Sequence, residues 1–295
     1  MIPAKPLSKK QIRSVNLLRK RSERSAVGQF VVEGERAVAQ TLANGVLSVI
    51  SVVLTHDFLK RLEAGLKKET TIKQDASDDR LHMFRREDIQ LFTVSDSVFN
   101  QLTDTDSPQG VLAVCRIPNP VTEENILAGN GLLLAADQIQ DPGNMGTMIR
   151  TAVWFGLSGL IVSPGTVDLY HPKVVRSTAG ATGMLPWLET ELPDFFEKAR
   201  GMGWQIYLLD SGSGSLPYRA AEPAGKDVLV IGNEANGISG KLRDLGFTLI
   251  RIDPGSRFAG NSPVESGVPT IGYTGVESLN ASVAASIIMA HFSRG

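Results

Sequence analysis

The chain of 295 residues has little of what builds disulfides, metal sites or membrane spans. Its single cysteine, Cys115, excludes an intramolecular disulfide and a zinc site made of cysteines. Its four histidines are scattered without the spacing of metal ligands, so we predict no metal ion. No apolar run reaches about 18 residues, which disfavours a membrane span. The first ten residues lack the apolar stretch of a secretion signal, so we expect a cytoplasmic protein with no membrane partner.

The net charge of −1 conceals an uneven distribution along the chain. Residues 1–118 carry a net charge of +4, and residues 119–295 carry −5. The first 36 residues alone hold nine basic and three acidic side chains. A basic segment on an otherwise acidic chain indicates a polyanionic partner, and a solvated helix face with extra cations explains it equally well.

Hydrophobic patterning in the first half predicts a small α/β domain over residues 1–118. Residues 8–21 have apolar side chains at Ile12, Val15 and Leu18 with cations between them, which predicts an amphipathic basic helix. Further elements are predicted as strands at 29–33, 49–54, 90–94 and 110–114 and a helix around 36–42. Residues 117–125 hold two prolines, Pro118 and Pro120, among polar residues, which predicts a linker over residues 119–130.

The second half, residues 131–295, predicts a larger α/β domain. Apolar runs predict five strands at 131–136, 159–163, 204–209, 227–231 and 248–252, and helices are predicted at 145–155, 173–178 and 278–291. Continuous apolar strands separated by helices are typical of a parallel sheet covered on both faces.

Three polar segments follow strands or begin a helix in this second half, at 141–150, 231–239 and 277–286. Ligands of open α/β sheets bind at the carboxyl ends of the strands, so these segments are candidates for function. Each also has a plainer explanation in helix capping, with Asn144 or Ser278 as N-cap and Glu234 favouring a helix dipole. The sequence has no Walker loop, no G-x-S-x-G elbow, no H-E-x-x-H and no EF-hand loop.

Together the three segments resemble, in order and spacing, the signature motifs of the SpoU (TrmH-type) family of the SPOUT class. The matching residues are Asn144-x-Gly146-x-x-x-Arg150, Gly232-Asn233-Glu234-x-x-Gly237 and Glu277-Ser278-Leu279-Asn280-x-Ser282-Val283-Ala284. The first half is similar to the family's substrate-binding domain, through its basic helix and the stretches 28–36 and 107–114. The family consists of S-adenosylmethionine-dependent RNA ribose 2′-O-methyltransferases. The resemblance therefore implies a C-terminal knotted parallel-sheet methyltransferase domain, preceded by a small α/β RNA substrate-binding domain.

The resemblance also assigns roles to individual residues. Arg150 matches the arginine that activates the ribose 2′-hydroxyl, alone or with help from an RNA phosphate. Because the pKa of arginine exceeds about 12, positioning and charge stabilisation are its larger expected role. The other expected catalytic residues are Asn144, Glu234, Ser278 and Asn280, and the cofactor-binding residues are Gly232, Leu279 and either Ile252 or Ile271. The RNA-binding residues are expected among the N-terminal cations, Arg13, Arg19, Lys20, Arg21, Arg24 and Arg36.

The implied cofactor is S-adenosylmethionine, and the implied partners are RNA and a second copy of the chain in a homodimer. The backbone of the family forms a deep trefoil knot. A ribosomal RNA of the 23S type is the favoured substrate, with transfer RNA as the alternative. A non-catalytic RNA-binding relative and an unrelated nucleotide-binding enzyme are the competing functions.

The sequence departs from the family between the second and third motifs. Residues 255–277 form an insertion rich in Gly, Ser and Pro, after Ile252 and before Ser278. Ile271 lies inside the insertion, so either Ile252 or Ile271 is the cofactor-side segment. The insertion has two explanations, a lid that closes over the methyl donor or a surface excursion that costs little because loop-closure entropy grows slowly with length.

Overall fold

The computed structural model describes residues 3–69, 84, 89–212, 214–254 and 278–293. The chain divides into two compact units. The first contains residues 1–119 and 168–184, and the second contains residues 120–167 and 185–295. Both units are α/β, as the sequence predicts, and no helix of the described residues is long and apolar enough to cross a membrane.

The helices and strands follow each other in this order. Up to residue 116 they are β1 Lys5–Pro6, α1 Lys9–Leu17, α2 Arg21–Val27, β2 Gln29–Glu33, α3 Glu35–Asn44, β3 Val49–Thr55, α4 His56–Glu69, β4 Gln90–Val94, α5 Asp96–Leu102 and β5 Val111–Arg116. After residue 116 they are α6 Glu123–Ala128, β6 Gly131–Asp137, α7 Pro142–Trp154, β7 Gly159–Val162, α8 Pro172–Ser177, β8 Trp187–Glu189, α9 Leu192–Gly201, β9 Gln205–Leu209, β10 Leu216–Pro217, β11 Lys226–Gly232, α10 Gly240–Arg243, β12 Thr248–Arg251 and α11 Ala281–Phe292.

The first unit is built on a mixed five-stranded sheet in the order β1-β4-β3-β5-β2. Strands β1, β4 and β3 are parallel, whereas β5 is antiparallel to both β3 and β2. Val15 and Leu18 from the basic helix are buried in one core cluster with Phe92 and Phe99. This burial confirms the amphipathic character that the sequence predicts for that helix.

The predicted basic helix over residues 8–21 is nevertheless two helices. Helix α1 ends at Leu17, and α2 begins at Arg21 after a turn. The Arg24 guanidinium explains the break, because its Nη1 donates at 2.8 Å to the carbonyls of both Leu18 and Arg19. These bonds satisfy carbonyls of the turn that a continuous helix would have paired within itself.

Arg24 is therefore not available for RNA, which corrects its assignment among the RNA-binding cations. The residue is 2% exposed, and its Nε and Nη2 donate to the carboxylate of Asp168. Asp168 opens the segment 168–184 that belongs to the first unit. A buried guanidinium that fills its hydrogen bonds within the protein holds the fold rather than a partner.

The second unit is built on a seven-stranded sheet in the order β10-β12-β9-β11-β6-β7-β8. Every strand pair in it is parallel, which confirms the predicted sheet type. Its main core cluster joins Leu133, Phe195 and Trp204. The expected linker at 119–130 contains helix α6, and Ile126 and Leu127 of this helix are buried in the same core. Pro118 and Pro120 therefore precede a packed helix, so the linker interpretation is wrong for residues 123–128.

The buried Arg24–Asp168 pair predicts a large stability loss on truncation. We expect Arg24→Met to lower the free energy of unfolding by about 3 kcal/mol, because it leaves a carboxylate and two carbonyls without their donor. Urea unfolding followed by circular dichroism measures the change. The exposed neighbour Lys20 provides the control, and Lys20→Met should stay within about 0.5 kcal/mol of the parent protein. Equal stability of the two variants would show that the pair contributes nothing.

Candidate active site

The site is built where two neighbouring strands end. Strands β6 and β11 are paired in parallel up to Asp137 and Gly232, so the loops that leave them start side by side. Helix α7 begins directly after the first loop, with Pro142 in its first turn and Asp141 as N-cap. The Asp141 Oδ1 accepts a hydrogen bond from the backbone N–H of Asn144 at 2.7 Å. Asp141 rather than Asn144 is therefore the cap, which corrects the capping explanation for Asn144.

The Asn144 side chain connects all three motifs. Its Nδ2 donates to Glu234 Oε1 at 3.0 Å, and its Oδ1 accepts from Asn280 Nδ2 at 2.9 Å. The residue is 8% exposed, so both ends of its amide are bonded inside the protein rather than to water. The structure thus brings together three of the predicted site residues, which are 90 and 136 positions apart in the chain.

Glu234 anchors one end of this chain of hydrogen bonds. Its carboxylate also accepts from the backbone N–H groups of Gln140 and Asp141, each at 3.3 Å. Burial alone would raise the pKa of Glu234, but the hydrogen bonds from Asn144 and the backbone outweigh it and lower the pKa below the usual value of 4.5. The carboxylate is therefore ionised at neutral pH and holds the loop before α7.

Asn280 anchors the other end as the N-cap of α11. Its Oδ1 accepts from the backbone N–H groups of Ser282 and Val283 at 3.0 and 3.3 Å. This corrects the expectation that Ser278 caps the helix, because Ser278 lies two residues earlier and is exposed. The small side chains of α11 allow it to pack on α7, where Ser286 Oγ lies 3.4 Å from Thr151 Oγ1.

Gly232 is required by the turn after β11. A Cβ at this position would lie 2.2 Å from the carbonyl carbon of Gly237, so any other residue would collide with the backbone of the returning loop. Two residues to which the sequence analysis gave no role stabilise the same turn. Asn233 Nδ2 donates to the Gln138 carbonyl at 2.8 Å, and the buried Asp137 accepts from the Ser239 N–H at 2.7 Å. Their position directly at the end of a strand is the signal that could have identified them.

Arg150 stands apart from the hydrogen-bond chain. It is exposed on α7 and forms no ion pair or hydrogen bond within the described part of the chain. Thr147 and Trp154 lie one turn away on the same exposed face. Its guanidinium is therefore available to an anion or oxygen from outside the unit.

Two of the three remaining expected cofactor-side residues lie within the described part of the chain. Ile252 follows β12 directly, and Leu279 is exposed beside Asn280, whereas Ile271 and the insertion 255–277 with its possible lid lie outside the described residues. Asp210 follows β9 directly, and its carboxylate is paired, since Oδ2 lies 2.5 Å from Arg243 Nη1 and Oδ1 accepts from the Gly212 N–H at 3.0 Å. Ser215 directly precedes β10, and its buried Oγ has no hydrogen-bond partner among the described residues. No cluster of metal-binding side chains occurs among the described residues.

The lowered pKa of Glu234 predicts how the stability of the fold depends on pH. Because its pKa is lower in the folded than in the unfolded chain, the ionised carboxylate stabilises the fold above pH 4.5 and loses this effect as the pH falls through the folded value. We expect Glu234→Gln to cost about 1 kcal/mol at pH 7, since an amide cannot accept all three N–H donors. Unfolding of both proteins between pH 3 and pH 7 tests this.

The difference between the parent protein and Glu234→Gln should shrink as the pH falls below 4.5. Glu222→Gln is the control, since this exposed side chain forms none of these bonds, and it should change little at any pH. A difference that does not vary with pH would contradict the proposed charge state.

Comparisons with known proteins place this geometry in a family. The profile of the SpoU rRNA Methylase family matches residues 131–258, and the profile of the MRM3-like substrate binding domain matches residues 9–113. The 23S rRNA (guanosine(2553)-2′-O)-methyltransferase RlmP of Bacillus subtilis is 30% identical over 275 residues, which cover 93% of this chain and 92% of that protein. The 23S rRNA (uridine(2479)-2′-O)-methyltransferase of Streptomyces viridochromogenes is 27% identical over 234 residues. That match covers 78% of this chain and 76% of the other protein.

A solved structure agrees with the sequence relatives. The putative RNA methyltransferase of the TrmH family from Porphyromonas gingivalis has a TM-score of 0.69 at 26% identity. The match covers 97% of this chain and 98% of that one. With both halves of the chain matched and the three motifs joined in one site, the protein belongs to the SpoU rRNA methylase family.

Proposed function

We propose that the protein transfers a methyl group from S-adenosylmethionine to a ribose 2′-hydroxyl of a 23S-type ribosomal RNA. The observation that carries this proposal is the chain Glu234–Asn144–Asn280, which joins the three motifs, while Arg150 on the same helix as Asn144 has no partner among the described residues. The names of both sequence relatives specify 23S rRNA and the 2′-oxygen, which favours ribosomal over transfer RNA. A cytoplasmic location and a knotted backbone stay predictions.

The residues near the strand ends fit a polar cofactor. Ser215 Oγ is buried and has no hydrogen-bond partner among the described residues, so a polar ligand would satisfy an atom that otherwise costs stability. S-Adenosylmethionine carries polar groups and, when bound, supplies an electrophilic methyl on its sulfonium. We assign its binding to Ser215 together with the backbone around Gly232, Ile252 and Leu279.

Within this proposal Arg150 acts on the ribose. A guanidinium with a pKa above about 12 cannot accept a proton at neutral pH, so Arg150 stabilises negative charge on the ribose oxygen or fixes a neighbouring phosphate. Glu234 is no better as a base, because its pKa is lowered and its oxygens accept three N–H donors. Asn144, Glu234 and Asn280 therefore position the loops, and catalysis depends mainly on alignment.

We expect exposed cations of the first unit to contact the RNA. Arg13, Lys20, Arg21 and Arg36 are exposed. Arg19 is more constrained, since its Nη2 donates to the Thr103 carbonyl. Exposed cations in a chain that is otherwise acidic supply the sequence-independent part of RNA affinity.

A homodimer would cover the apolar surface of the second unit. Trp154 on α7 is 84% exposed, and Val283 on α11 and the neighbouring Leu279 are exposed as well. Large apolar side chains left exposed on two packed helices indicate an interaction surface, and a twofold interface is the most frequent solution. Arg150 lies one turn from Trp154, so each active site would border the partner subunit.

The role of Arg150 is tested by substitution. We expect Arg150→Ala to reduce methyl transfer to 23S rRNA at least about a hundredfold while cofactor affinity stays within a few-fold, because the guanidinium contacts ribose rather than cofactor. Transfer of labelled methyl groups to 23S rRNA and, in parallel, to tRNA measures the activity. Arg200→Ala on α9, which precedes the amino end of β9, is the control and should retain activity.

Three results would contradict the assignment in different ways. Undiminished transfer by Arg150→Ala would remove the role of this residue. Methyl transfer by the parent protein to tRNA alone would show that the substrate is tRNA rather than 23S rRNA. RNA binding by the parent protein without any transfer would favour the non-catalytic alternative.

The dimer is tested at Trp154. We expect Trp154→Glu to sediment as a monomer of 31.7 kDa where the parent protein sediments at twice that mass, because the charge would be buried against apolar side chains. Val27→Glu, at an exposed apolar residue of the first unit, is the matched control and should leave the mass unchanged. A monomeric parent protein would overturn this part of the proposal.

A further inference from the structure

Arg243, at the end of α10, joins two strand-end loops of the second unit. Its Nη1 lies 2.5 Å from Oδ2 of Asp210, which directly follows β9. Its Nε donates at 3.2 Å to the carbonyl of Ile238, in the loop after β11. A guanidinium can serve both partners because it carries five donors in a fixed plane. Arg243 therefore fixes the loop after β9 relative to the loop after β11.

The position of Arg243 is itself fixed from a third strand. The buried Asp137 at the end of β6 accepts a hydrogen bond from the N–H of Ser239, which is the N-cap of α10. The Arg243 N–H donates in turn to the Ser239 carbonyl at 3.2 Å. Strands β9, β11 and β6 are neighbours in the sheet, and these contacts hold the loops at their ends together.

Asp210 needs its cationic partner because it is buried. The residue is 8% exposed, and an unpaired carboxylate in such surroundings is costly. Its Oδ1 accepts from the Gly212 N–H at 3.0 Å and so shapes the turn that follows β9. Without Arg243 the carboxylate gains by turning toward water, and the turn then loses this hydrogen bond.

A second arginine holds the other end of the same loop. Arg251 on β12 donates through Nη1 to the carbonyl of Ser215 and through Nε to Asp253 Oδ1 at 2.6 Å. Ser215 is the residue whose buried Oγ has no partner among the described residues. Asp210 and Ser215 are thus each tied to an arginine from outside the loop.

We propose that Arg243 is a positioning residue that prepares the loop after β9 to bind S-adenosylmethionine. The inference rests on the proposed function, which assigns the cofactor to Ser215 and to the backbone around Gly232. These two parts of the site belong to the two loops that Arg243 joins. A loop that already has its bound arrangement spares the ligand the cost of ordering it. Loss of the arginine therefore weakens cofactor binding without touching the reacting atoms.

Calorimetric titration of the full-length protein with S-adenosylmethionine, without RNA, tests this role. We expect Arg243→Met to weaken binding about tenfold and to raise the KM for the cofactor equally, while kcat for methyl transfer stays within about twofold. Arg243→Lys should fall between this variant and the parent protein, because an ammonium restores the charge beside Asp210 but not the bond to the Ile238 carbonyl. Lys241→Met, at an exposed cation of the same helix, is the matched control and should bind like the parent protein.

A double-mutant cycle separates positioning from direct contact. Asp210→Asn keeps an oxygen for the Gly212 N–H but removes the charge that Arg243 pairs with. If the arginine acts through Asp210, the double variant Asp210→Asn/Arg243→Met should bind the cofactor no more weakly than Arg243→Met alone. Losses that add instead would show that Asp210 acts on the cofactor independently of Arg243, which contradicts the proposal.

The outcomes distinguish this inference from the proposed function. Unchanged cofactor affinity in Arg243→Met, or a loss confined to kcat, overturns the positioning role alone when the parent protein methylates rRNA. A parent protein that binds the cofactor but transfers no methyl group contradicts the proposed function, and the affinities of the variants still decide the role of Arg243. A parent protein that binds no S-adenosylmethionine overturns both. Thermal unfolding of each variant without cofactor sets the titration temperature below the lowest midpoint, so that unfolding does not mimic weak binding.

Discussion

The second unit depends on one buried amide. Asn144 is the residue in which the loop after β6, the loop after β11 and the start of α11 meet. A buried primary amide is costly unless both its donor and its acceptor are used, and here each serves a different loop. Moving any of the three loops would leave buried polar atoms unpaired. The cost of such atoms is what keeps segments so distant in sequence in one fixed arrangement.

This arrangement separates fixed groups from reactive ones. The Glu234 carboxylate accepts hydrogen bonds from backbone N–H groups of its own unit, and the Asn280 side-chain oxygen accepts them from the first turn of α11. Arg150 extends from the same helix as Asn144 but has no partner inside the described chain. The rigid part therefore shares helix α7 with an exposed cation. A chemistry that relies on alignment needs this combination, because a group whose hydrogen bonds are complete cannot also respond to a substrate.

The sequence predicts the central strands of the second unit well, for a physical reason. Continuous apolar runs are buried on both faces of a parallel sheet, so β6, β9 and β11 can be recognised from composition alone. Polar groups after such strands share one edge, which singles out the loops after β6 and β11, whereas the roles of individual residues come from the family resemblance. Caps are harder, since Asp141 and Asn144 are both good N-caps and only the backbone decides between them. Helix α6 is missed because its two buried apolar residues are too few to show a period.

The arginines show why charge counting could not assign roles. Arg24, Arg150 and Arg176 are the same residue type, yet their surroundings leave them different capacities. Arg24 fills its donors with a carboxylate and two carbonyls and holds the fold. Arg150 has no donor filled by the described residues and is exposed, which suits a developing charge. Arg176 is 25% exposed and lies between these extremes, with two long ion pairs to Glu33 and Asp104. Asp168, the partner that distinguishes Arg24, is 144 residues away, so this difference arises only from the folded chain.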